Sequence, residues 1–206
     1  MKRRHALGVP LSLALPISLA AASIGRAAEP ASANAANAAN AALTRLRAGG
    51  CALLLRHAST DPGIGDPPGF RLGDCSTQRN LSPAGRAEAQ RIGAWFAARA
   101  LAPSAVRSSA WCRCQDTATL AFGRPNVWPA INSHFGRGAM APEAMREVRR
   151  RLAAISAGQF EVWVMHQVTI TALIGEYTDM GRAWLVAPGA GQSERPEVVA
   201  GLAFDG

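Results

Sequence analysis

Residues Ala52 to Thr60 read ALLLRHAST, and the reading of this stretch decides the fold. The apolar run Ala52-Leu53-Leu54-Leu55 passes directly into Arg56-His57 and then into small and hydroxyl residues. Gly49-Gly50 precedes it and Asp61-Pro62-Gly63 follows, so it reads as a short buried strand from about Cys51 to Leu55. A guanidinium and an imidazole at the carboxyl end of such a strand stand where open α/β sheets place their ligands. The same pair would also mark a strand merely leaving the core, so the decision rests on the rest of the chain.

Downstream, Phe160 to Met165 forms a second apolar strand that again delivers a histidine, His166. Between the two, strands and helices alternate. Ser82-Pro83 opens a helix, Ser as N-cap and Pro in the first turn, whose apolar face is Ala89, Ile92, Trp95 and Phe96 and which runs to about Ala100. Ser104-Ala105-Val106 is a short strand with Ser108-Ser109 at its end, and Trp111 to Phe122 continues as helix until Gly123 and Pro125 stop it. Val127-Trp128 reads as another short strand and Ile131 to Ala141 as a glycine-bearing loop. Pro142 starts a helix with the face Met145, Val148, Leu152 and Ile155, and with Arg149, Arg150 and Arg151 mostly outward. Thr169 to Gly175 is a short helix, and Trp184 to Val186 with Val198 to Phe204 a closing hairpin. Upstream, Leu43 to Ala48 is a short helix closed by Gly49-Gly50. Asp61 to Asn80 holds four glycines and three prolines; directly after Arg56-His57, such a long loop is expected to wall a pocket. The alternation implies an α/β fold, a mostly parallel central sheet covered by helices on both faces.

Met1 to Ala27 has a basic start, an apolar stretch from Ala6 to Ile24 and small residues before Ala27, the pattern of a secretory signal. Arg3-Arg4 also permits a twin-arginine signal, so Sec and Tat export both stay open. Cleavage there would remove Lys2, Arg3, Arg4 and Arg26 from the formal charge of +8, leaving about +4. Ala28 to Ala42, rich in Ala and Asn, reads as a flexible leader, and 43–206 as one domain. The expected location is periplasmic or secreted, with no membrane span. A moderately basic exported protein suits a small anionic substrate. With Lys2 the only lysine and no basic block interleaved with aromatics, a nucleic-acid role is not expected. Export also makes disulfides possible. Cys51 begins the strand and is expected to be a buried thiol; Cys75 is expected to pair with Cys112 or Cys114, tying the long loop to a helix start. No CxxC and no nearby pair of histidines supports a metal site.

Arg56-His57-Ala58, then Ser108-Ser109-Ala110-Trp111-Cys112-Arg113-Cys114-Gln115-Asp116-Thr117-Ala118, then His166-Gln167, resemble in order and spacing the histidine phosphatase superfamily. The branch resembled is the compact one that includes phosphoglycerate mutases and SixA-type phosphatases. Leu81-Ser82-Pro83-Ala84-Gly85-Arg86 is similar to the family's LT-x-x-G element, and the resemblance runs from about Gly49 to Gly206. It implies a three-layer, phosphoglycerate mutase-like α/β/α sandwich and a phosphatase without metal or organic cofactor. His57 would be the residue phosphorylated, and Arg56, Arg113 and His166 would form the phosphate pocket.

The chemistry agrees. A histidine with one unprotonated nitrogen is a nucleophile, and forked arginine donors match phosphoryl oxygens. Arg107 lies near the same strand end but does not fit the motif's spacing. Cys112 and Cys114 flank Arg113, and a catalytic thiol is the sharper but disfavoured reading of the latter pair. Where many compact-branch members carry an acid glutamate, this chain places Ser133; His134, Glu143, Asp61 and Asp66 are the candidate substitutes, His134 a weak one. The expected substrate is a small phosphomonoester, with an envelope sugar phosphate and a phosphohistidine protein also open. The second expectation is a phosphate-binding or scaffolding protein that has lost turnover.

Overall fold

The structure, a computed structural model, describes residues 40–191 and 195–204. The expected signal segment and leader residues 28–39 lie outside the described residues. Helix α1 covers 40–48, so the last three residues assigned to the leader are helical instead. Ala42 and Leu46, one turn apart, are both buried in the core, which fixes this start.

The central sheet has six strands: β1 (Cys51–Arg56), β2 (Ala105–Ser108), β3 (Asn126–Val127), β4 (Phe160–Met165), β5 (Ala183–Ala187) and β6 (Glu197–Leu202). Their order is β3-β2-β4-β1-β5-β6. The first four run parallel; β5 pairs antiparallel with both β1 and β6, the closing hairpin. The helices are α2 (Pro83–Ala97), α3 (Cys112–Phe122), α4 (Pro142–Ala153) and α5 (Gln167–Ile174).

Alternation along the strands sorts the core into two layers. Leu53, Leu55, Val162, Val164 and Leu185 face α1, α2 and α3 with Ile92, Phe96 and Ala118. Ala52, Leu54, Trp163, Met165 and Val186 face α4 and α5 with Val148, Leu152, Ile170 and Leu173. Buried on both faces, β1 and β4 must be apolar throughout, as parallel strands of a covered sheet are. The exception is Glu161 on β4, wholly buried, which is bonded by Arg107, Arg151 and the Trp163 indole. Arg151 therefore folds onto the sheet and is not one of the outward arginines expected on α4.

Two glycines set distances that matter for the site. A Cβ on Gly85 would lie 1.8 Å from the Ser59 carbonyl oxygen, and one on Gly93 would lie 2.3 Å from that of Ala121. The first lets the start of α2 lie against the loop after His57; the second lets α2 lie close to α3.

Candidate active site

The carboxyl ends of β1 and β4 lie side by side, Arg56 opposite Met165, so both histidines leave the sheet at one edge. Their rings are 5.5 Å apart in an edge-on arrangement. The loop after β1 is tied down on every side. The His57 amide donates to the Met165 carbonyl, and the Ala58 amide to Thr117 Oγ1 at 3.0 Å. The Ser59 amide and hydroxyl both donate to Glu88 Oε2, at 2.7 and 2.9 Å. Ser82 caps α2 through its side chain, and its amide donates to Ser59.

His57 is buried, and its Nδ1 lies 2.9 Å from the carbonyl oxygen of the adjacent Ala58. A carbonyl only accepts, so Nδ1 carries the hydrogen and the lone pair is on Nε2. Burial pulls the ring's pKa down to about 3; the Ala58 bond opposes this, and the charges of Arg113, Arg56 and Arg79 add to it. His57 is thus neutral at neutral pH. His166 is also held well below the usual imidazole range, by burial first and then by His57, Arg113, Arg56 and Arg79. Its Nε2 lies 2.8 Å from Ser109 Oγ, and Ser109 Oγ lies 3.2 Å from Asn132 Oδ1.

The two histidines line a cleft of about 470 Å³ together with Arg56, Arg79, Asp66 and Arg113. Arg56 Nη1 donates to the Thr178 carbonyl at 2.7 Å; Arg79 Nη1 donates to Thr60 Oγ1 and the Gly63 carbonyl. Arg113 is on the first turn of α3, next to Cys112. The disulfide Cys75–Cys112 anchors the long loop there, settling the choice left open between Cys112 and Cys114. Gln78 Oε1 accepts from the Cys112 amide at 3.0 Å, a second tie between the same two segments. Cys51 and Cys114 are buried thiols. Burial pushes the Cys114 thiol up to about 12, so it is no thiolate nucleophile.

Asp66 meets Arg113 through both oxygens, Oδ1 to Nη1 at 2.7 Å and Oδ2 to Nη2 at 3.2 Å. The Arg79 amide and the Trp111 indole also donate to it, at 3.1 and 3.0 Å. Burial pushes this carboxyl up, but the Arg113 bonds and charge with the two further donors outweigh it, so Asp66 stays a carboxylate below its ordinary range. The remaining directions of the Arg113 terminal nitrogens face the Arg79 carbonyl and His166 Nδ1, each at 3.4 Å. The Nε groups of Arg56, Arg79 and Arg113 are buried and have no hydrogen-bond partner among the described residues.

Of the residues expected at the site, Arg56, His57, Arg113 and His166 converge on this cleft. Arg107 does not: it pairs with Glu161 at 2.9 Å under the sheet. His134, the weak acid candidate, has its ring nitrogens 2.7 and 3.1 Å from the carbonyl oxygens of Gly138 and Val168 and does not line the cleft. Ser133 does line it, whereas Asp61 and Glu143 do not. Two site residues are new. Arg79 stands in a loop without periodicity, two residues ahead of the Leu81-Ser82 helix start, and only the course of that loop brings it in. Ser109 stands at a strand end in the sequence, and its contact with His166 exists only once β2 pairs with β4.

No family model and no curated protein sequence matches the chain. Solved structures do. The Agrobacterium tumefaciens protein assigned as a phosphohistidine phosphatase SixA is 23% identical at a TM-score of 0.50, over 74% of this chain and 97% of that one. Its counterpart from Nakamurella multipartitia is 18% identical at 0.50, over 75% and 96%. The open reading frame Rv3214 of Mycobacterium tuberculosis is 16% identical at 0.52, over 72% and 94%. The likeness lies in the fold: this chain has the phosphoglycerate mutase-like sandwich of the histidine phosphatases.

Proposed function

We propose that the chain is a phosphatase that hydrolyses a phosphate monoester through a phosphohistidine on His57. One observation carries this reading. A buried, neutral imidazole holds its hydrogen on the Ala58 carbonyl, which leaves Nε2 unprotonated among three arginines and a second histidine. In the first step the Nε2 lone pair forms a bond to phosphorus as the ester P–O bond breaks, and the leaving oxygen departs as the anion and takes its proton from solvent water. In the second, water attacks phosphorus, the P–N bond breaks, and phosphate leaves with His57 restored. Arg56 and Arg113 neutralise the phosphoryl oxygens, with Arg79 beside them in the same cleft. For His166 to add a donor from Nδ1, the Ser109 hydroxyl turns its one hydrogen from Asn132 Oδ1 to His166 Nε2, and the phosphoryl group comes between Nδ1 and Arg113 Nη2.

Arg113 is engaged by Asp66, so a phosphoryl group that takes the terminal nitrogens displaces this carboxylate. Among the described residues lining the cleft Asp66 is the one carboxylate, and it is ionised. The cleft therefore favours esters whose leaving oxygen needs little protonation. That lack of a protonated acid among the described lining residues is what favours a second reading, a phosphate-binding protein without turnover. The Cys75–Cys112 disulfide supports, with the basic and apolar start of the chain, an exported protein.

The test is hydrolysis of p-nitrophenyl phosphate by the purified protein. Turnover that His57→Ala abolishes is expected. Equal background in both, with phosphate raising the melting temperature, would favour the binder instead.

A further inference from the structure

The cleft is cationic at its floor, and its mouth carries large exposed apolar side chains beside Arg137. Ile64, on the long loop after β1, is 92% exposed, and Phe135, on the loop after β3, is 57% exposed. Both line the same cleft. A Cβ on Gly65 would stand 3.4 Å from the Phe135 ring, so the two loops meet there. Phe70, Val168 and Met180 continue this lining, and the Arg137 guanidinium lies over the Trp111 ring at 5.9 Å. Single exposed apolar residues need no explanation; two large ones lining one charged cleft mark a ligand surface.

Most of the polar side chains at the mouth are already engaged, the exposed Arg137 excepted. Gln167 donates to Thr171 Oγ1 at 2.6 Å and accepts from the Thr178 amide at 2.8 Å. Ser133 Oγ accepts from the Phe135 amide and keeps its one hydrogen, and Asp66 is committed to Arg113. A polyol would exchange water for a wall that offers its hydroxyls few partners, at a cost for each one buried unpaired. An apolar group would gain by covering Ile64 and Phe135. At about 30 Å³ per water, a cleft of about 470 Å³ has room for a phosphoryl group and one or two rings.

We infer that the substrates are phosphomonoesters whose leaving group is apolar and aromatic, phenols above all, rather than sugar or polyol phosphates. The inference rests on the phosphatase reading. It is tested with 2-phenylethyl phosphate and glycerol 3-phosphate, both primary alkyl esters, as competitive inhibitors of p-nitrophenyl phosphate hydrolysis. Inhibition reads binding whether or not the alkyl oxygen leaves. The aromatic ester is expected to inhibit at a concentration about tenfold lower or less. The double variant Ile64→Ser/Phe135→Ser is expected to bring the two constants together, and their ratio cancels any general loss of activity. Equal constants in the wild type, or tighter binding of glycerol 3-phosphate, would overturn the substrate class and leave the phosphatase standing. Wild-type turnover of p-nitrophenyl phosphate no faster than that of His57→Ala would take both readings down.

Discussion

Two buried carboxylates in this molecule are held by nearly the same set of groups. Glu161 receives Arg107, Arg151 and the indole of Trp163; Asp66 receives Arg113, the Arg79 amide and the indole of Trp111. In both, hydrogen bonds and cationic charge overcome the burial that would raise the carboxyl pKa. What differs is the backbone beneath them. Glu161 is on β4 with strands on both sides, β1 and β2, and is wholly buried. Asp66 is on a loop between Gly65 and Pro67, with one side open to the cleft. On the proposed reading, the same ionic chemistry is a structural cluster in one place and an exchangeable anion site in the other. Donors alone do not make a binding site; they need a carboxylate that can give way.

Exchanging the two arginines for alanine breaks the comparison most sharply. Arg113→Ala is expected to lower kcat/KM on p-nitrophenyl phosphate by roughly 10² to 10³. Arg107→Ala is expected to cost less than about threefold, its loss falling on stability through Glu161. The reverse ranking would mean that the phosphate clamp has been assigned to the wrong cluster.

Next in size is Glu161→Gln. It leaves Arg107 without its charge partner in a half-closed site, and urea unfolding should show a loss of roughly 2–3 kcal/mol. The Arg151 share is small, because that side chain is 37% exposed and its pairing is screened by solvent. Activity per folded molecule should hold within about twofold. A stability change near zero would remove the structural half of the comparison.

The smallest effect separates the clusters most finely. Asp66→Asn removes the competing charge from Arg113, and isothermal titration should show inorganic phosphate binding roughly 3- to 10-fold tighter. If Asp66 instead orients Arg113 as Glu161 holds Arg107, phosphate binds more weakly.

The β1 and β4 histidines could be read from the chain because each stands just past an almost wholly apolar strand, where a titratable side chain is conspicuous. Arg113 came with the motif around it, and Ser82-Pro83 marked the start of α2 by ordinary capping chemistry. The Asp61 to Asn80 loop could not be read in the same way. Its glycines and prolines carry no periodicity, so nothing local says that Asp66 and Arg79 fold back to Arg113. The disulfide partner was equally hidden, since both Cys112 and Cys114 are within one turn of the same helix start. Glu161 is the opposite case: a carboxylate within an apolar strand, whose partners come from β2 and α4 and exist only once the sheet is assembled. The leader boundary moved to residue 40 because Ala42 packs as core although an alanine-rich stretch gives no amphipathic signal.

The central claim, that Nε2 of His57 takes the phosphoryl group, is tested most directly by rapid mixing with substrate labelled in its phosphoryl group. The reaction is quenched in alkali, where a phosphorus–nitrogen bond on histidine survives and acid would destroy it. The expected result is an acid-labile label on the peptide carrying His57, formed before free phosphate is released and absent from His57→Ala. Label on another residue, or wild-type rates of phosphate release in His57→Ala, would contradict the account.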